Sequence, residues 1–206
     1  MARYETKIYE IQEEFQNVCI AVRDANVVIK ALENGPCTVS FHEKARRPHT
    51  VKVKNDTLTV TCAQKRKWYH LLHMNCSLPQ VEICLPKAVY GTVTVKNVTG
   101  KRTVSDTACQ ELDLHGTTGA VTLSNVIASG DIRIRHVTGK VVLSDCDANA
   151  LSVKVTTGSV CGRLLSAKIF AAKCTTGKIH VPDPPAGGLC KIKTTTGSIK
   201  FEQPPH

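Results

Sequence analysis

The stretch Thr117-Thr118-Gly119-Ala120-Val121-Thr122-Leu123-Ser124-Asn125 returns twenty residues later as Val137-Thr138-Gly139-Lys140-Val141-Val142-Leu143-Ser144-Asp145. Working outward, a glycine preceded by threonine stands at Gly100, Gly119, Gly139, Gly158, Gly177 and Gly197, a spacing of 19 or 20 residues. Self-similarity at such a period marks stacked supersecondary units, because one unit cannot bury its apolar face alone.

The residues between the glycines decide whether each unit is helical or extended. Two and four positions after the glycine come Val121 and Leu123, Val141 and Leu143, Ile179 and Val181, Ile199 and Phe201, with Val160/Gly162 and Arg102/Val104 as weaker copies. Seven and five positions before it come Val93 and Val95, Leu112 and Leu114, Ile132 and Ile134, Leu151 and Val153, Phe170 and Ala172, Cys190 and Ile192. Both patterns have a period of two, so each repeat holds two short strands with inward pairs. Ser105-Asp106, Ser124-Asn125, Ser144-Asp145 and Pro182-Asp183 follow one strand as turn residues, and the Thr-Gly pair follows the other. The turn glycines fit corners with positive φ or with no room for a side chain. The expected fold is all-β: a single-chain parallel β-solenoid of about six rungs spanning 87–206, preceded by a β-rich cap over 1–86.

The cap segment lacks the glycine period. It reads as strands at 18–22, 27–32, 37–41, 51–54, 57–61 and 81–85, and Asn55-Asp56 between two alternating runs predicts an antiparallel hairpin. The stretch Lys65-Arg66-Lys67-Trp68-Tyr69-His70 reads as an exposed connection. Of the 206 residues, 42% are apolar but only 4% aromatic, which suits a core of aliphatic ladders. No run approaches the roughly 18 apolar residues of a membrane helix, and Met1-Ala2-Arg3-Tyr4-Glu5 shows no apolar leader, so a cytoplasmic chain is expected, with cell-surface association as the alternative. Ten cysteines are scattered without a CxxC pair, and the expectation is reduced, structural thiols.

Several of these segments carry a resemblance. Arg66-Lys67-Trp68-Tyr69, Val81-Glu82-Ile83-Cys84-Leu85-Pro86, the Thr-Thr-Gly series and the ending from Val181-Pro182 through Gly187-Gly188-Leu189-Cys190-Lys191-Ile192 to Thr196-Gly197-Ser198-Ile199 resemble a bacterial adhesin-like family of unknown function. The resemblance covers nearly the whole chain and implies a parallel β-solenoid that acts as a binding surface. It names no catalytic residues, cofactor or partner.

The charge supplies the one candidate site. There are 27 Lys and Arg against 17 Asp and Glu, and four residues before each repeat glycine stand Lys96, His115, Arg135, Lys154, Lys173 and Lys193. With strands about 4.8 Å apart, these would form a column about 24 Å long on one outer face. Like charges side by side on a sheet are destabilising, so stability would not select the column. Two readings stand. One is a stripe that binds a linear polyanion, such as nucleic acid, an acidic cell-wall polymer or anionic headgroups; the other is a solvated face whose lysines guard against edge pairing. A purely structural, self-associating protein, joined through the solenoid ends, is a further alternative. Base-specific nucleic-acid recognition is not expected, because Tyr90, Phe170 and Phe201 are the only aromatics of the repeats.

Catalysis is not expected. Asp145 and Asp147 are a close acidic pair that falls on a turn, and Asp106, Asn125, Asp145 and Asp183 share a turn register rather than an acid–base geometry. His70, His73 and Cys76, at steps of three, could converge on a metal only with further ligands, so no metal or cofactor is assigned. Adjacent threonines of the Thr-Thr-Gly turns do not share one strand face, which argues against a flat ice-binding array.

Overall fold

The computed structural model describes residues 5–43, 49–62, 78–183 and 186–202. Every regular element among them is a strand: β1 (Glu5–Ile11), β2 (Asn17–Val22), β3 (Asn26–Leu32), β4 (Cys37–Glu43), β5 (His49–Lys54), β6 (Thr57–Cys62), β7 (Gln80–Pro86), β8 (Val89–Thr99) and β9 (Arg102–Ser105). The series continues with β10 (Ala108–Thr118), β11 (Val121–Ser124), β12 (Ile127–Thr138), β13 (Val141–Thr157), β14 (Val160–Leu164), β15 (Lys168–Thr176), β16 (Ile179–His180), β17 (Gly188–Thr196) and β18 (Ile199–Glu202). The architecture is solenoid-like and the strand orientation mixed. Among the described residues no helix is long and apolar enough to cross a membrane.

The strands form two faces. One face pairs β7, β3, β9, β11, the first part of β13, β14, β18 and β16 in that order, all parallel. The other pairs β6, β2, β8, β10, β12, the second part of β13, β17 and β15, again parallel. Antiparallel strands cover one end: β1 on β4, β4 on β7, and β5 on β6. The β5–β6 hairpin turns at Asn55 and Asp56, both with positive φ, as the Asn-Asp pair predicts.

The core lies between the two faces and follows the period-two pattern. Leu112, Leu114, Val121, Leu123, Ile132, Val141 and Leu143 are fully buried, each worth roughly 1.5–3 kcal/mol of transfer free energy. The repeat glycines form a ladder of their own. Gly119 and Gly139 have φ of 128° and 146°, and a Cβ on either would fall 2.1 and 1.9 Å from the carbonyl oxygen of the stacked glycine, Gly100 and Gly119 respectively. Only a residue without a side chain lets successive corners approach so closely. The opposite corner uses Asp106, Asn125 and Asp145, each with φ near +53°, a conformation that Asn and Asp tolerate best among non-glycine residues.

The layers do not stack in chain order. β17 and β18, the last strands in sequence, sit between β13/β14 and β15/β16. At the other end β6 and β7 lie outside β2 and β3, although they come later in the chain. Lys168 of β15 reaches along Gly188 of β17 and donates to Ala148 O of β13 at 2.6 Å, pairing also with Asp147 at 2.7 Å. This buried ammonium ties the outermost layer across the inserted one. Cys19, Cys37, Cys84, Cys109, Cys146, Cys161, Cys174 and Cys190 are free thiols. Residues 65–70 and the His70, His73, Cys76 set lie outside the described residues.

Candidate functional site

The six basic residues occupy one register. His115 is opposite both Lys96 and Arg135, Arg135 opposite Lys154, and Lys154 opposite Lys193, which in turn neighbours Lys173. The order along the face is therefore Lys96, His115, Arg135, Lys154, Lys193, Lys173, with the last two exchanged because their strands are. His115 is half-buried and the other five are exposed.

Two flanking columns explain how little of this charge is neutralised. On one side the outward residues are uncharged: Val98, Thr117, Val137, Thr156, Thr195 and Thr175. On the other, the acids are engaged elsewhere. Arg133 takes both Glu111 (3.1 Å) and Asp131 (2.7 Å), and Asp113 pairs with His115 at 2.9 Å. Among the described residues Lys96, Arg135, Lys154, Lys193 and Lys173 have no ion pair, and the acidic run from Glu10 to Glu14 does not reach them. The middle of the column opens into a depression lined by Lys96, His115, Arg135 and Lys154, with Asp113 as its one acid. Gly116 and His136 also line it. Both face inward in the alternation, so they contribute backbone and form its floor.

Beneath that floor lies a residue whose repeat register is inward, as the Arg102/Val104 copy has it, although its charge suits the outside. The inward column after the turn glycines runs Val81, Val27, Arg102, Val121, Val141, Val160, Ile199, Ile179. Arg102 is the one polar member and is 1% exposed. Its guanidinium turns towards Gly116, where an ideal Cβ would fall 1.3 Å from Nη1. Nη2 donates to His136 Nδ1 at 3.0 Å, while Nε and Nη1 have no partner. Burial pulls its pKa from 12.5 down to about 10, which corresponds to about 3 kcal/mol against the charged form. Burial, and then the neighbouring Arg102 charge, also holds His136 below its ordinary value.

The column three residues before each glycine is inward as well and caps the corner carbonyls. Asn97 donates to Ala25 O (3.1 Å), His136 to Gly119 O (2.6 Å), Thr194 to Gly158 O (3.2 Å) and Cys174 to Gly197 O (2.9 Å). Gly116 is the member of this column with no side chain. The inward pairs legible in the sequence lie seven and five residues before the glycine and do not take in this column, and nothing in it showed that Arg102 fills the space Gly116 leaves.

Nothing in the turn registers forms an acid–base set. Asp145 is held by Arg163 at 2.6 Å. Burial disfavours the ionised Asp147, yet hydrogen bonds from Lys168, Ser166 and the Ala148 amide outweigh it and hold the carboxyl below the usual range. No group of three or more His, Cys, Asp or Glu suited to a metal occurs among the described residues.

No curated protein matches the chain. Solved structures do. One from Clostridium sporogenes ATCC 15579, described as a "putative cell adhesion protein", is 15% identical with a TM-score of 0.58, covering 98% of this chain and 99% of its own. Another from Bacteroides fragilis NCTC 9343, described as a "putative adhesin", is 18% identical with a TM-score of 0.48 and 98% coverage of both chains. At these identities the likeness to the first is one of fold. Residues 15–205 match the Toastrack DUF4097 family, and the chain belongs to it.

Proposed function

We propose that this chain is a non-enzymatic binding protein that offers the column Lys96, His115, Arg135, Lys154, Lys193 and Lys173 to a linear polyanion. In this reading residues 87–206 form six Thr-Gly rungs of a parallel β-solenoid, residues 1–86 cap it, and the rungs space the cations about 4.8 Å apart. The adhesin-like descriptions of its structural neighbours are in keeping with a surface for binding. The observation that carries the proposal is the missing counter-charge. Five exposed cations stand in one register without an ion pair among the described residues, while the neighbouring acids are used by Arg133 and His115. Such a row repels itself and focuses potential along its length.

Salt dependence tests this. Binding to long-chain polyphosphate should weaken linearly with log salt as counterions are released, and replacing Arg135, Lys154 and Lys193 with Gln should lower the slope by about one for each phosphate no longer neutralised. The same substitution of Lys101, Lys140 and Lys178, which follow the turn glycines, removes equal charge elsewhere. Equal weakening by both triples would reduce the effect to bulk charge and end the proposal.

A further inference from the structure

We infer that the depression over Gly116 seats a run of closely spaced oxyanion charges of that polymer, held by Lys96, Arg135 and Lys154 and by the buried Arg102 acting through the floor. The inference rests on the polyanion reading and adds where along the column the ligand is gripped and by what.

Three observations converge. First, the stacked layers put an aliphatic residue where this one puts Arg102, so the core does not require a cation there. Second, the guanidinium has one partner, a histidine that accepts from it, and no carboxylate; Nε and Nη1 are unpartnered at 1% exposure. A charge so placed is screened little by the protein, and its field leaves by the shortest path to water. Third, that path is Gly116. Nη1 lies against the inner side of this residue, and the outer side is the floor of the depression.

The surroundings set the ligand's charge. Lys96, Arg135 and Lys154 rim the depression without an ion pair, Arg23 lines it as well, and its one carboxylate, Asp113, lies 2.9 Å from His115 Nε2. With Arg102 beneath, five Lys and Arg side chains surround a basin that holds one carboxylate. A single negative charge leaves most of that uncompensated, whereas several closely spaced charges on one chain, one on each internal phosphate, do not. Arg102 thus fits a residue retained at the expense of stability for the sake of binding.

The full chain with Arg102→Met, neutral and similar in length, is the test variant. It should melt at or above the wild-type temperature and bind long-chain polyphosphate at least tenfold more weakly at low salt, the effect expected for one unit charge as far as about 12 Å away at an effective dielectric near 20. In parallel, inorganic pyrophosphate titrated into ¹⁵N-labelled wild-type protein should shift the Gly116 amide and the Arg102 Nε–H, but not the amide of Gly162 on the other face. Polygalacturonate of matched total charge, whose carboxylates lie further apart along the chain, should bind more weakly than polyphosphate, and equal binding would overturn the assignment of closely spaced charges to the seat. A folded Arg102→Met protein with wild-type affinity, or pyrophosphate shifts that spare Gly116, would overturn the seat. Should the variant not fold, the titration of wild-type protein decides. If the Arg135, Lys154, Lys193 triple weakens binding and Arg102→Met does not, the stripe stands and only the seat falls; if neither does, both fall.

Discussion

Nη2 of Arg102 lies 3.0 Å from Nδ1 of His136. A guanidinium only donates, so Nδ1 is the bare ring nitrogen, and Nε2–H donates to Gly119 O at 2.6 Å. Adding a proton would aim Nδ1–H at the guanidinium. The ring is therefore neutral in the folded chain, with its pKa lowered by burial and by Arg102. The unfolded chain takes up a proton below about pH 6.5, so the contribution of His136 is complete above that value and is lost as pH falls towards the depressed folded pKa. Urea unfolding at pH 7.5, 6.0 and 5.0 should show this fall. His136→Asn, which keeps a donor for Gly119 O as Asn97 does for Ala25 O, should flatten it; an unchanged slope would remove His136 as its source.

The inward register can be tested by charge. Leu114→Asp and Ile134→Asp place a carboxylate at fully buried positions, at a cost of several kcal/mol. Thr122→Asp, on the outer side of β11, should shift stability by less than about 1 kcal/mol. Thermal melting compares the three, and similar midpoints would mean that the faces are assigned the wrong way round.

Gly119 and Gly35 separate two reasons for glycine. Both have φ near 125°, but a Cβ at Gly119 meets the Gly100 carbonyl at 2.1 Å whereas one at Gly35 meets nothing within 4 Å. Gly35→Ala should cost about 1–3 kcal/mol for the backbone conformation alone. Gly119→Ala adds a clash between stacked corners, so its denaturation midpoint should fall well below that of Gly35→Ala.

Cysteine reactivity should follow burial. The thiols of Cys37 and Cys190 are pushed up to about 12 and that of Cys109 to about 11, chiefly by burial, so at pH 8 they should alkylate far more slowly than half-buried Cys19 and Cys161. In denaturant without reductant, all ten cysteines should label. Mass spectrometry showing three or more blocked pairs would contradict scattered free thiols.

Apart from β1, which the reading of the cap missed, the strand positions, the inward pairs and the basic register were legible, because each depends on alternation within a few residues. Val121 and Leu123 declare their side of a strand, and Lys154 declares the other. Layer order was not legible. Thr175-Thr176-Gly177 and Thr195-Thr196-Gly197 are equivalent as local signals, and nothing within either copy says which will dock on β13. The register of Arg102 was legible as a weaker copy of the inward pair, but how the core takes its charge was not. Its accommodation depends on the missing side chain of Gly116 fourteen residues on and one layer away.

The displaced position of β17 and β18 bears on how the chain can be made. A stack built in chain order could zip up behind the ribosome, each layer templating the next. Here β15 and β16 rest on strands that emerge after them, so the segment from Lys168 to His180 has no template until residues 188–202 have been synthesised and laid on β13 and β14. Lys168 then meets Ala148 O and Asp147 across the inserted layer. A further layer would accordingly have to rest on β15 and β16, which lie outermost, and copies of the repeat appended after β18 would meet a layer already covered.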